Sequence, residues 1–227
     1  MNELSSDTQN TASVSAFDTG SLKRFATEAR TELLKQIGVR VSTVLAEGSL
    51  ARRENGAVVT QLETLIDDIG QQRVIEQVAY TWFNRFCALR FMDLNRFTKL
   101  GTISPAEGFS QPEILADAKQ GVIDNAWNVD KAEVLGLLDG SLPSSEPQQE
   151  AYQRLLIGVC RHYHKMMGFL FESISDYTEL LIPDDLLSDN SVLAKTREAL
   201  TVEACQSVEV IGWLYQFYIS EKKDEVI

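Results

Sequence analysis

The sequence predicts an all-α protein, a multi-helix domain with little or no β-sheet. Leu22, Phe25, Ala26, Ala29, Leu33, Ile37, Val41, Val44 and Leu45 recur at three- and four-residue steps, the period of one helix face. A second stretch, Val74–Lys99, places Val74, Ile75, Val78, Ala79, Trp82, Phe83, Phe86, Leu89 and Phe91 on a stripe wide enough to demand burial of most of a helix. No segment alternates apolar and polar residues as a half-buried strand would, and no repeat of fixed period occurs.

Taken in order, residues 1–20 are rich in Ser, Thr, Asn and Asp and predict a disordered tail. Two helical subdomains follow, over 21–140 and 141–227. The first long helix gives way at Glu47–Gly56, a segment carrying two glycines. A second helix spans Val58–Ile69, with Gly70 as its C′ residue. After Val74–Lys99, Gly101 and Pro105 break the pattern. Ser110-Gln-Pro-Glu113 and Asp130-Lys-Ala-Glu133 have the form of capping boxes, and Gly121 and Gly140 stand where those short helices should stop. Ser141–Pro147 is a loop and the best internal boundary. Ser145-Glu-Pro-Gln148 opens the next long helix, with Tyr152, Leu155, Leu156, Val159, Tyr163, Met166, Met167 and Leu170 on its apolar face. Ile182-Pro-Asp-Asp185 turns the chain, and a final helix starts near Val202.

Charge divides the chain. Residues 1–100 carry 12 basic and 12 acidic side chains, so residues 101–227, with 9 and 21, supply the whole net charge of -12. So acidic a chain should not coat nucleic acid non-specifically, because phosphate binding is driven by cations. No apolar run approaches the ~18 residues of a membrane span. The opening MNELSSDTQN has neither the basic nor the apolar region of a signal peptide. Cys87, Cys160 and Cys205 lie scattered within apolar helical stretches, as small core residues of a reducing, cytoplasmic compartment.

Motifs for chemistry are missing. No two glycines are two or five residues apart, which removes the GxG and Walker A loops, and no two prolines are adjacent. With two histidines in the chain, most zinc and triad sites are out of reach. Cys160 and His164 share a helix face at i, i+4, but no second pair supplies further ligands, and they read as core. Asp67-Asp68 and Asp184-Asp185 diverge as helical neighbours and are poor dyads. Trp82, Phe83, Phe86 and Phe91 have the rings for base stacking but sit in an aliphatic stripe, which favours core packing. Arg40, Arg52, Arg53 and Arg73 could gather as a phosphate-contacting patch, with ion pairs from Arg52 and Arg53 to Glu47 and Glu54 as the simpler reading. Trp213, Tyr215, Phe217 and Tyr218 crowd the last apolar turns and predict a docking face for further protein.

Three strings carry a resemblance: AYTWFNRFCALRFMDLNRF at 79–97, YTELLIPDDLLSDNSVL at 177–193, and IGWLYQFYISEKKDEV at 211–226. From about residue 21 to its last residue the chain resembles the N-terminal region of the adenine-specific DNA methyltransferases of BREX phage-defence systems, the PglX or BrxX family. The resemblance implies a helical domain preceding a Rossmann-like methyltransferase domain that binds S-adenosylmethionine and holds a flipped adenine with an Asn-Pro-Pro-Tyr motif. It gives this segment no catalytic, cofactor-binding or metal-binding residue. It implies the remainder of the methyltransferase, DNA through the full-length protein, and other BREX proteins as partners. An alternative of a different class is a complete, non-enzymatic helical adaptor whose acidic half docks a basic protein.

Overall fold

The computed structural model describes residues 18–166, 171 and 176–224. The described residues form ten α-helices: α1 Thr19–Leu45, α2 Leu50–Glu54, α3 Gly56–Ile69, α4 Gln71–Leu94, α5 Glu113–Lys119, α6 Lys131–Asp139, α7 Pro147–His164, α8 Asp176–Leu180, α9 Val192–Ala199 and α10 Glu209–Asp224. Short 3₁₀ turns at Asn125–Trp127 and Ala204–Gln206 join them. There is no strand among these residues, and one isolated bridge links Pro105 to Pro112. The all-α prediction holds.

α1 is the central rod. Its stripe from Leu22 to Val44 is buried against α4, α9 and α10. α4 lays Val74, Val78, Trp82, Phe83 and Phe86 into the same core and also meets α3 and α9. α7 buries Tyr152, Leu155, Leu156 and Val159 against α5, α6 and the first 3₁₀ turn. Gly158 makes that approach possible, since a Cβ there would lie 2.3 Å from Val129 Cγ1 and 3.0 Å from the Trp127 carbonyl oxygen. Buried residues from both sides of the Ser141–Pro147 loop belong to one continuous core.

Several boundaries differ from the sequence reading. α1 starts at Thr19, because the Asp18 carboxylate accepts from the Gly20 amide at 2.9 Å. The rest of the expected tail lies outside the described residues, as do Met167 and Leu170. α2 fills the segment read as a break. Gly70 ends α3 as expected, donating its amide to the Ile66 carbonyl, but its φ of 87° and ψ of 144° fall in a glycine-only region outside the αL well and lead directly into α4.

α4 stops at Leu94, before the predicted Lys99. Arg96 takes φ 59°, its amide bonds the Asp93 carbonyl, and the Phe97 amide bonds the Met92 carbonyl. These are the paired bonds of a Schellman stop, with Phe91 and Phe97 in ring contact at 6.3 Å. Asp130 caps α6 as predicted, accepting from the Glu133 amide at 3.1 Å, and Gly140 is left-handed at its end. The Ser110 box does not form. Glu113 turns its carboxylate to the Gly101 amide at 2.6 Å, and α5 opens after Pro112. α7 opens on Pro147 at N1 without a side-chain cap. α9 was not anticipated; Ser191 caps it, accepting from the Ala194 amide at 3.2 Å. α10 begins at Glu209, seven residues beyond Val202.

Candidate functional surfaces

The four arginines read as a phosphate patch have different fates. Arg40, on α1, donates to the Leu180 carbonyl at 2.9 Å and pairs with Asp184 at 3.1 Å. Arg52 folds back over the end of α1. Its Nη2 donates to the Leu45 carbonyl at 2.7 Å and to Glu63 at 2.5 Å, and its Nε shares the Leu45 and Ala46 carbonyls at 3.2 Å. That guanidinium satisfies carbonyls that a helix C-terminus leaves orphaned. The expected partner for Arg52 was Glu47 or Glu54; the structure pairs it with Glu63 because α3 runs back past the end of α1. Arg53 and Arg73 are exposed.

Arg40 instead meets Arg154 and Arg161 in a polar cleft of about 370 Å³, with Glu150, Gln153 and Glu179 on the same wall. Arg154 pairs with Glu133 at 2.7 Å, and Arg161 grips both oxygens of Glu179. Each cation in the cleft therefore faces a carboxylate, so the cleft offers no unbalanced positive charge to a phosphate. Sequence reasoning missed Arg154 and Arg161; their i, i+7 spacing on α7 was the available signal.

Arg52→Ala is expected to lower stability by about 1–2 kcal/mol, since hydrogen bonds from a charged donor to the half-buried carbonyls at the end of α1 and to Glu63 are lost. Arg53→Ala, on the same helix but exposed, should stay within about 0.5 kcal/mol. Thermal melts of the two variants check this, and equal losses would show that Arg52 is not a clip.

α10 divides the aromatic end by its helical period. Val210, Leu214 and Tyr218 turn inward, with the Tyr218 ring 4.6 Å from Phe83 and 5.5 Å from Tyr80. Trp213 and Phe217 stack at 5.9 Å on another side of the helix. Trp213 is 39% exposed and Tyr215 48%, whereas Phe217 is half-buried and Tyr218 belongs to the core of this chain.

The remaining candidates resolve into structure. Trp82, Phe83 and Phe86 are buried, with Phe91 packed against the core. Cys160 is buried, which pushes its thiol up to about 11, and His164 Nδ1 faces the Phe171 carbonyl at 2.5 Å. Among the described residues no three His, Cys, Asp or Glu side chains are grouped to hold a metal ion. Asp184 goes to Arg40 while Asp185 accepts from the Ser188 amide and hydroxyl, so the two carboxylates serve different partners. No helix among the described residues is long and apolar enough to cross a membrane.

No family model matches the chain. It is 32% identical over 238 residues to the adenine-specific methyltransferase BrxX of Escherichia coli O9:H4 (strain HS), a match that covers 92% of this chain and 19% of that protein. It is also 32% identical over 164 residues to the adenine-specific methyltransferase PglX of Lacticaseibacillus casei (strain Zhang), covering 66% of this chain and 13% of that protein. The chain thus spans about a fifth of the length of the first relative, and the matching stretch is that relative's N-terminal part. The resemblance carried by the three strings is borne out.

Proposed function

From the similarity of this chain to the N-terminal part of BrxX and PglX, we propose that it is the helical N-terminal domain of a larger site-specific adenine-N6 DNA methyltransferase of a BREX anti-phage system. In this reading the segment orients DNA or assembles the complex and performs no chemistry alone. S-adenosylmethionine serves the full-length protein, and the compartment is the cytoplasm. One observation carries the reading: the match takes in 92% of this chain but 19% of the relative. The glycine loop and the base-holding Asn-Pro-Pro-Tyr run have no counterpart in these 227 residues. The rest of the methyltransferase docks on the side of α10 that carries the stacked Trp213 and Phe217. In the same reading Arg53 and Arg73, the two exposed arginines of the predicted set, contact phosphate, and other BREX proteins bind the assembled enzyme.

The test is genetic. The reading frame past the codon for Ile227 should continue into the glycine loop and Asn-Pro-Pro-Tyr. Deleting residues 19–224 in frame should then abolish N6-methyladenine at one sequence motif in the host genome. A stop codon after Ile227, or methylation that survives the deletion, overturns the reading.

A further inference from the structure

α10 buries one side and leaves the opposite side open to solvent. Val210, Leu214 and Tyr218 pack inward, where α1 and α4 meet the helix. At about 100° per residue, Gly212 and Gln216 point the other way, and both are exposed. The stacked Trp213 and Phe217 flank this row on one side, and Tyr215 and Ile219 flank it on the other.

Two features set this row apart from an ordinary wet helix side. Residues 210–220 hold no charged side chain, whereas the solvent face of a surface helix is normally charged. Gly212 has no use within the folded chain either. A Cβ there would meet no described atom within 4 Å, and a glycine inside a helix is destabilising relative to alanine. What a glycine does offer is room for another backbone to come close.

Chemistry and shape narrow the partner. A charged group laid on this face would lose water and find no opposite charge, so the partner surface is uncharged there. The side of a helix has its backbone groups already paired and cannot extend a sheet, so the partner is not an added strand. A second helix fits, because its side-chain ridges seat between rows spaced four residues apart and Gly212 lets the two axes approach. About four-fifths of BrxX lies beyond the matched stretch, and α10 is the described helix nearest that continuation in sequence.

We propose that a helix of the chain that follows this domain crosses α10 at Gly212, seating an uncharged apolar face between the Trp213–Phe217 and Tyr215–Ile219 rows. This rests on the reading of the chain as the first part of a longer methyltransferase.

Gln216→Cys places a thiol on the open row, and maleimide labelling followed by peptide mass spectrometry reads its accessibility in the 227-residue chain and in the full-length protein. The full-length protein should label at this position at least about tenfold more slowly, because access then waits on local opening. Gly212→Leu, added to the full-length protein, should return labelling to the rate of the short chain. In the short chain the same substitution meets open space, so the melting temperature should not fall, and Gly212→Ala should raise it by about 2 °C. Equal labelling in the two proteins, protection that survives Gly212→Leu, or unfolding of the short chain by Gly212→Leu overturns the proposal. Protection of the short chain that grows with its concentration would make a second copy the occupant and overturn it as well. Equal labelling in a protein whose genomic methylation is lost with residues 19–224 sinks the helix contact alone, whereas a stop codon after Ile227 removes the reading beneath it.

Discussion

Trp82→Ala is expected to destabilise the chain by about 3–5 kcal/mol, the range for truncating a fully buried aromatic side chain. Three losses add up at this position. The side chain is fully buried on α4, so its removal leaves a void beside Phe86, whose ring centre lies 5.5 Å away. The indole N–H donates to the Thr178 carbonyl at 3.2 Å and thereby ties α8 to α4. The Arg85 guanidinium, itself buried, lies 4.9 Å above the indole and would lose that ring face. For a chain of this length the melting temperature should fall by roughly 10 °C. Trp82→Phe separates the contributions, since it keeps most of the volume and loses the donor; it should cost about 1–2 kcal/mol. An unchanged melt for Trp82→Ala would mean that the ring is not in the core, and the α4 aromatics would again be candidates for base stacking.

The fold was legible where its cause is local. The α1 and α4 stripes are single-face patterns sustained over many turns, and every inward position of α1 from Leu22 to Val44 that the spacing marks is buried. Asp130 was readable because its acceptor and the Glu133 amide are three residues apart. What escaped depends on distant partners. Ser110 and Ser145 have the same local form as Asp130, yet Glu113 is claimed by the Gly101 amide, and Pro147 starts its helix without a side-chain cap. α9 is two turns long, too short for its period to stand out. The stop of α4 uses an arginine at positive φ, where the eye looks for glycine.

The candidate site was less legible for the same reason. Arg40 finds Asp184 across 144 residues, and Arg52 finds Glu63 through the way α3 folds back. No spacing rule reaches that far. Trp213, Tyr215 and Tyr218 look alike in a greasy run, and only the helical phase fixed by Val210 and Leu214 sends Tyr218 inward. The family resemblance was readable because it rests on long strings, which need no tertiary information.

Asp93→Ala is expected to cost about 4 kcal/mol, although the residue sits at the end of a helix and belongs to no recognised motif. Its carboxylate accepts five hydrogen bonds: from the Thr98 hydroxyl at 2.9 Å, the Thr102, Ile103 and Ser104 amides at 2.9, 2.8 and 2.9 Å, and the Ser104 hydroxyl at 2.8 Å. Thr102 and Ile103 are buried, so water cannot replace the lost acceptor there. An orphaned buried amide costs about 1–3 kcal/mol, and partial relaxation of the loop keeps the sum below three full penalties. Asp93→Asn should recover less than half, because its amide group presents donors where the loop also presents donors. Urea denaturation checks the pair, and a loss under about 1 kcal/mol for Asp93→Ala would show the loop closes without the carboxylate. The effect should also spread. One turn earlier, Arg90 donates to the Leu200 carbonyl and to the Ser104 hydroxyl, while Tyr152 of α7 donates to the Thr102 carbonyl. The loop held by Asp93 is therefore the joint at which α4, α7 and the end of α9 meet, and freeing it loosens all three.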